Sequence, residues 1–189
     1  SALAWELLLA WAQAREEPAL IQACRKALRE LSPTHPQHAL DAAAVFARRK
    51  NWEPAEEVLR AALRHSRNPD LLHALASIIM NQDGDWTEAR ALLDEAILRR
   101  PFQPDYRLTR MEVLFRLNEL DAAEEDRLAL AKICPGSIRW RWMEIKWRAT
   151  RGQSPLPPDR LRELVRRRSE LAPEQRNELK KWIASGHIK

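Results

Sequence analysis

Side chains capable of covalent or metal chemistry are few in this chain and poorly spaced for it. Its five histidines are His35, His38, His65, His73 and His187. Only His35 and His38 stand close together, in a stretch read as a loop, with no cysteine or paired carboxylates at zinc spacing. Asp83-Gly84-Asp85 has the opening of a calcium loop without its remaining oxygen ligands, so it reads as a turn. Four glycines in the whole chain leave no phosphate-cradling loop. Cys24 takes a core position of a second helix and is expected to act as a small hydrophobe, whereas Cys134 precedes Pro135 at a helix end. Two cysteines make no disulfide framework. The expectation is a protein that is not an enzyme and carries no metal or cofactor.

The elements that position side chains here form a repeat. Leu20, Ala55, Ala89 and Ala123 lie 35, 34 and 34 residues apart, and Ala27, Ala62, Ala96 and Leu130 repeat those intervals. A unit of about 34 residues with two helical patterns cannot bury its own apolar face, so neighbouring units must stack and leave a long surface for a partner. One Tyr, three Phe and four Gly against abundant Ala, Leu, Arg and Glu is a composition for helices. The predicted fold class is all-α, an α-solenoid of about four to five helix pairs with a C-terminal capping region.

Boundaries follow from the breaks. Pro33, Pro69, Pro101 and Pro135 are expected to end second helices, because proline lacks the amide donor and restricts the residue before it. The repeat array is placed at 1–151, with repeats near 1–33, 34–69, 70–101 and 102–135 and a degenerate helix over 137–150. That helix carries Trp140, Met143 and Trp147 on one stripe and Ile138, Trp142 and Ile145 on another, which predicts burial on two sides. Residues 152–189 are assigned to a loop, Gly152 to Pro158, and to capping helices over 159–186. Trp52 and Trp86 recur at the turn between helices, where an aromatic plugs the junction.

The small and large residues of each repeat resemble the tetratricopeptide repeat family. Ala39, Ala42, Ala43 and Phe46, then Ala55, Leu59 and Ala62, carry the likeness in the second repeat; Ala76, Ser77 and Met80, then Ala89, Leu93, Ala96 and Pro101, carry it in the third. Leu7, Leu8 and Trp11, then Leu20, Cys24 and Ala27, fill the first. The fourth departs from the pattern, since Arg110 and Arg127 occupy apolar positions. Either the helix register rotates to bring Leu108, Met111 and Phe115 inward, or the arginine stems lie across apolar surface. The resemblance implies a right-handed solenoid with a concave groove lined by first helices. Its partner-binding residues would be Leu40, Asp41 and Arg48 from the second repeat, with Leu75, Ile78, Asn81 and Gln82 from the third. Asp105, Glu112 and Arg116 would follow from the fourth, and Trp142 and Lys146 from the fifth pair. Such a groove suits a protein or peptide segment with apolar side chains entering its middle. The Lys, Asn and Arg set by which some family members clamp a terminal carboxylate is lacking.

Charge supplies the competing expectation. Residues 136–189 hold 14 Lys+Arg against 6 Asp+Glu, although the whole chain is only +5. Arg139, Arg141, Arg148, Arg166, Arg167 and Arg168 thus form a candidate surface for a polyanion, nucleic acid or acidic polysaccharide. The leading expectation remains a non-enzymatic interaction scaffold, one segment of a larger assembly or secretion-related bacterial protein, monomeric or weakly homo-oligomeric through Trp5, Leu8 and Leu9. The apolar stretch from Leu3 to Trp11 has no basic segment before it and is too short to span a bilayer. Cytoplasm and periplasm both fit, and localisation is left unassigned.

Overall fold

The computed structural model describes residues 2–31, 35–152 and 157–184. Pro33, the 153–156 part of the expected loop, Gly186 and His187 fall outside these residues. Eleven α-helices and one 3-10 turn account for the regular structure among the described residues, and no strand occurs among them. They form two compact units, Ser1–Arg99 and Arg100–Lys189.

Unit 1 holds α1 (Ala2–Ala14), α2 (Pro18–Leu31), α3 (Pro36–Arg48), α4 (Trp52–Leu63), α5 (Pro69–Asn81) and α6 (Trp86–Arg99). Unit 2 holds α7 (Pro104–Arg116), α8 (Leu120–Ile133), α9 (Ile138–Thr150), α10 (Pro158–Arg166), the 3-10 turn Arg168–Glu170 and α11 (Pro173–Ala184). Helices pack in consecutive pairs, α1 on α2, α3 on α4, α5 on α6 and α7 on α8.

Proline acts mainly at helix starts. Six of the eleven helices begin with it: α2, α3, α5, α7, α10 and α11. Its fixed φ suits the first turn and its missing donor is not needed there. Pro69 therefore opens α5 rather than closing α4, which ends at Leu63, and the Asn68 side chain accepts from the Asp70 amide at 2.8 Å to complete the cap. Pro101 and Pro135 do follow the ends of α6 and α8. His35 likewise caps α3, its Nδ1 accepting from the Gln37 amide at 3.1 Å, so the expected histidine loop is a helix start.

The repeat is also written in the backbone. Glu16, Lys50, Asp83 and Asn118 adopt positive φ of 54, 58, 51 and 58°, each in the turn between the two helices of a pair, and Gly152 (φ 62°) does so between α9 and α10. A single left-handed residue satisfies the last carbonyls of the first helix and reverses the chain. At Asp83 the side chain also accepts from Trp86 Nε1 at 3.1 Å, tying the turn to the start of α6. The next residue, Gly84, sits so close to the end of α5 that an added Cβ would stand 3.1 Å from Ile79 Cγ2.

Within unit 1 a charged ladder links α4 to α6. Arg60 donates to both oxygens of Glu88 at 2.6 and 2.9 Å, and Arg67, in the segment between α4 and α5, pairs with Glu95 two turns further along α6. The first pair has a rotated register: Leu9, Ala12, Cys24 and Leu28 are buried, whereas Leu7 and Trp11, expected to pack, are 65% and 45% exposed. Leu9 lies in the core and Trp5 and Leu8 pack against it, so these three do not form an exposed N-terminal face.

Unit 2 has one apolar cluster drawing Leu108, Met111 and Leu114 from α7, Leu130 from α8, Trp140, Trp142, Met143 and Trp147 from α9, Leu161 and Leu164 from α10, and Leu179 from α11. The expected two-sided burial of α9 is observed. Each of the two arginines in apolar positions meets an acid. Asp126, fully buried on α8, accepts from Arg110 and Arg107, and Arg127 pairs with Glu124 at 2.7 Å while its guanidinium lies 4.6 Å over the Trp147 ring. Met111, Leu108 and half-buried Phe115 still face the core beside these pairs.

Candidate functional site

Of the first-helix residues expected to line a groove in unit 1, the structure leaves a subset open. Leu75 and Ile78 are 1% and 6% exposed, so both are core residues. The expectation failed because α5 is apolar almost all round, with Leu71, Leu72, Leu75, Ala76, Ile78 and Ile79 all buried. Gln82 turns toward α4 and donates to Glu56 Oε2 at 2.7 Å, which braces two helices instead of facing a partner. Asn81 is exposed, but its amide already donates to the Ser77 carbonyl at 2.7 Å.

Leu40 is half-buried, and Asp41 and Arg48 border an open cleft of about 610 Å³ between α2 and α3. Its walls also carry Arg25, His38, Ala44 and Val45. Asp41 accepts from Gln37 at 3.0 Å and pairs with Arg25 at 3.6 Å, while Arg48 is exposed. His38 presents two buried ring nitrogens without a protein partner, and Arg25 Nε is likewise unmatched. The cleft thus combines fixed charge, unmatched polar atoms and an apolar strip. Arg25 and Val45 lie outside the positions that the repeat pattern singles out, and His38 stood out in the sequence only as a neighbour of His35 and not as a groove residue.

Unit 2 presents a different picture. Asp105 pairs with Arg139. Glu112 is met by Gln175, whose Nε2 donates at 3.4 Å to Glu112 Oε1. Burial pushes the Glu112 carboxyl above its ordinary range, against the pull of Lys146 and Arg139. Lys146 pairs with Glu178 at 3.7 Å, and Trp142, fully buried, lies against Trp182 with ring centroids 5.5 Å apart. Three expected groove residues are therefore covered by α11. Arg116 remains exposed. The covering residues were assigned only to a cap, although Gln175, Glu178, Leu179 and Trp182 at i, i+3, i+4 and i+7 form a single stripe on a helix whose other residues are mostly polar.

No protein-family model matches the sequence, and no curated protein matches it. Its structure does have counterparts. That of YrrB, described as a TPR protein with an unusual peptide-binding site, aligns with a TM-score of 0.61 at 16% identity over 96% of this chain and 92% of that one. A tetratricopeptide repeat protein from Parabacteroides merdae gives 0.63 at 16% identity over 96% and 73%. The chain has the tetratricopeptide-repeat fold. Pseudomonas aeruginosa PilF is also similar, with a TM-score of 0.59 at 16% identity over 96% and 82% of the two chains.

On this fold the basic residues of the C-terminal unit are largely matched. Arg139 and Arg141 pair with Asp105 and Glu163, and Arg148 with Glu144 at 3.3 Å. Arg167 donates to Glu163 and to both oxygens of Glu170; the Glu163 carboxyl is held below its usual range first by Arg141 and then by Arg167, and that of Glu170 by Arg167. Arg168 donates to the Val165 carbonyl, and Arg166 is exposed. Among the described residues no group of three or more His, Cys, Asp or Glu is placed to hold a metal ion, and no helix is long and apolar enough to cross a membrane.

Proposed function

We propose that the chain is a non-enzymatic protein-interaction scaffold, one part of a larger assembly, that takes an extended segment of a partner protein at the α2–α3 cleft. The observation supporting this reading is the cleft itself: open, about 610 Å³, with Asp41 held by Arg25 and with Arg48 exposed at its border. A segment running along α3 meets the apolar Ala44 and Val45 and offers backbone or side-chain polar atoms to His38 and Arg48. Arg48 favours an acidic or carbonyl-rich stretch. Similarity to YrrB adds to the case for a peptide, since that protein is described by its peptide-binding site. The ion pairs around Arg139, Arg141, Arg148 and Arg167 give the polyanion alternative no comparable support, because a matched guanidinium must exchange one anion for another.

The test is capture from cell extract by the full chain and by Arg48→Glu, each at low and high salt. Proteins that are retained by the wild type at both salts and lost by Arg48→Glu support the cleft. Capture that survives Arg48→Glu and instead disappears with Arg166→Glu and Arg168→Glu, steeply with salt, transfers the function to a polyanion surface.

A further inference from the structure

Helix α11 of unit 2 is seated as a ligand would be. Its inward stripe meets first-helix residues in order: Gln175 on Glu112 of α7, Glu178 on Lys146 of α9, and Trp182 on Trp142 of α9. Leu179, at the centre of the stripe, is 1% exposed within the apolar cluster of the unit. The outward residues Glu174, Asn177, Lys180 and Lys181 are exposed. The arrangement is an apolar and aromatic centre flanked by polar contacts, which is how a groove receives an amphipathic helix.

Other features mark the seat as weakly held. The helix has only 12 residues, a length at which an isolated helix is marginal in water, so it stays folded through what it packs on. Leu179 is its one buried residue, Trp182 is half-buried, and the polar contacts at 3.4 and 3.7 Å are long. Seating it also sets Gln175 and Glu178 against the Glu112 carboxyl, whose charged form is already disfavoured by burial and is repelled by Glu178. Exposed Ala172 and Pro173 join α11 to the buried Leu171.

We infer that α11 is a built-in ligand: the α7–α9 face is a binding site for an amphipathic helix of the order Gln-x-x-Glu-Leu-x-x-Trp, and α11 closes it until a partner helix with the same sequence of groups displaces it. The partner presents an acid to Lys146, a hydrogen-bond donor to Glu112, and an aliphatic and an aromatic side chain to the Trp142 surface. This site is separate from the α2–α3 cleft and stands or falls independently of it.

The probe is a fluorescein-labelled peptide of residues 172–184, and the readout is its fluorescence anisotropy with full-length protein. In the wild type the tethered α11 competes at the high effective concentration of a linked segment, so binding in trans is weak. Leu179→Asp with Trp182→Ala in the full chain unseats α11 and is expected to bind the peptide at least about 10-fold more tightly than the wild type. Adding Lys146→Glu to that variant should remove most of the gain, and a peptide carrying Glu178→Lys should restore it. A variant that keeps its helical circular dichroism and shows no gain overturns the inference and leaves α11 a structural cap. Should the double variant lose helicity, Glu178→Lys alone carries the test, with a gain of about 3-fold expected from one weakened pair and no gain overturning the inference. A wild-type dimer by light scattering that the peptide dissociates also overturns it, since the site would then belong to the α11 of a second copy.

Discussion

Asp126 of α8 and Arg110 of α7 are joined by two 2.7 Å hydrogen bonds, one to each carboxylate oxygen, and Arg107 adds a third at 2.7 Å. The acid is fully buried and each arginine side chain is 16% exposed. Such a cluster is costly to break and inexpensive to replace as a whole. Asp126→Ala, which removes the buried acid that both guanidiniums share, should lower the unfolding free energy by about 3–5 kcal/mol in urea titration. Replacing Asp126, Arg107 and Arg110 together by Leu, Met and Leu should recover most of that loss. A loss under about 1 kcal/mol for Asp126→Ala would show that water or backbone already satisfies both arginines.

The left-handed turns make a second prediction. Nothing lies within 4 Å of a Cβ added at Gly152, so Gly152→Ala reports backbone strain alone. With φ at 62° it should cost about 1 kcal/mol. Lys50→Gly, at the equivalent turn with φ 58°, should gain up to about 1 kcal/mol because it removes the same strain. Thermal unfolding of both variants checks the signs.

Glu112 offers a pH-dependent effect. Its folded pKa lies above the ordinary 4.5, so the folded state binds the proton more tightly than the unfolded one. Stability from this group is therefore greatest below the unfolded value and falls as pH rises through the folded one. Glu112→Gln keeps an oxygen for Gln175 and removes the charge. It should raise Tm at pH 7 relative to the wild type, with the difference shrinking toward pH 4. A lower Tm at pH 7 would mean that attraction to Lys146 and Arg139 outweighs burial.

The ion pair between Arg67 and Glu95 of α6 behaves in the opposite sense. Glu95 is held below its usual range first by its hydrogen bond from Arg67, so its contribution is present above 4.5 and is lost as pH falls through the folded value. Arg67 is 49% and Glu95 26% exposed, which allows solvent screening and limits the pair to about 1 kcal/mol or less. Arg67→Ala should cost no more than that at low salt, and less at 1 M salt. A salt-independent loss would point to packing of the arginine stem instead.

Repeat period and composition determined the helix pairs: Ala55, Ala89 and Ala123, expected at small positions where helices approach, are all fully buried. Wide apolar cover on α9 was equally legible, because burial of a helix is a periodic property of its own residues. Tertiary structure decided what lay between elements. Arg110 looked misplaced until Asp126, sixteen residues away, came to face it. Leu75 and Ile78 carried the spacing of groove residues, but only packing reveals which arc of an apolar helix is covered. Glu112, Trp142 and Lys146 were expected to line one open groove, yet α11 lies over them through contacts up to 63 residues distant in the chain. Local periodicity states which face of a helix seeks cover; which element supplies that cover depends on pairings that no local pattern records.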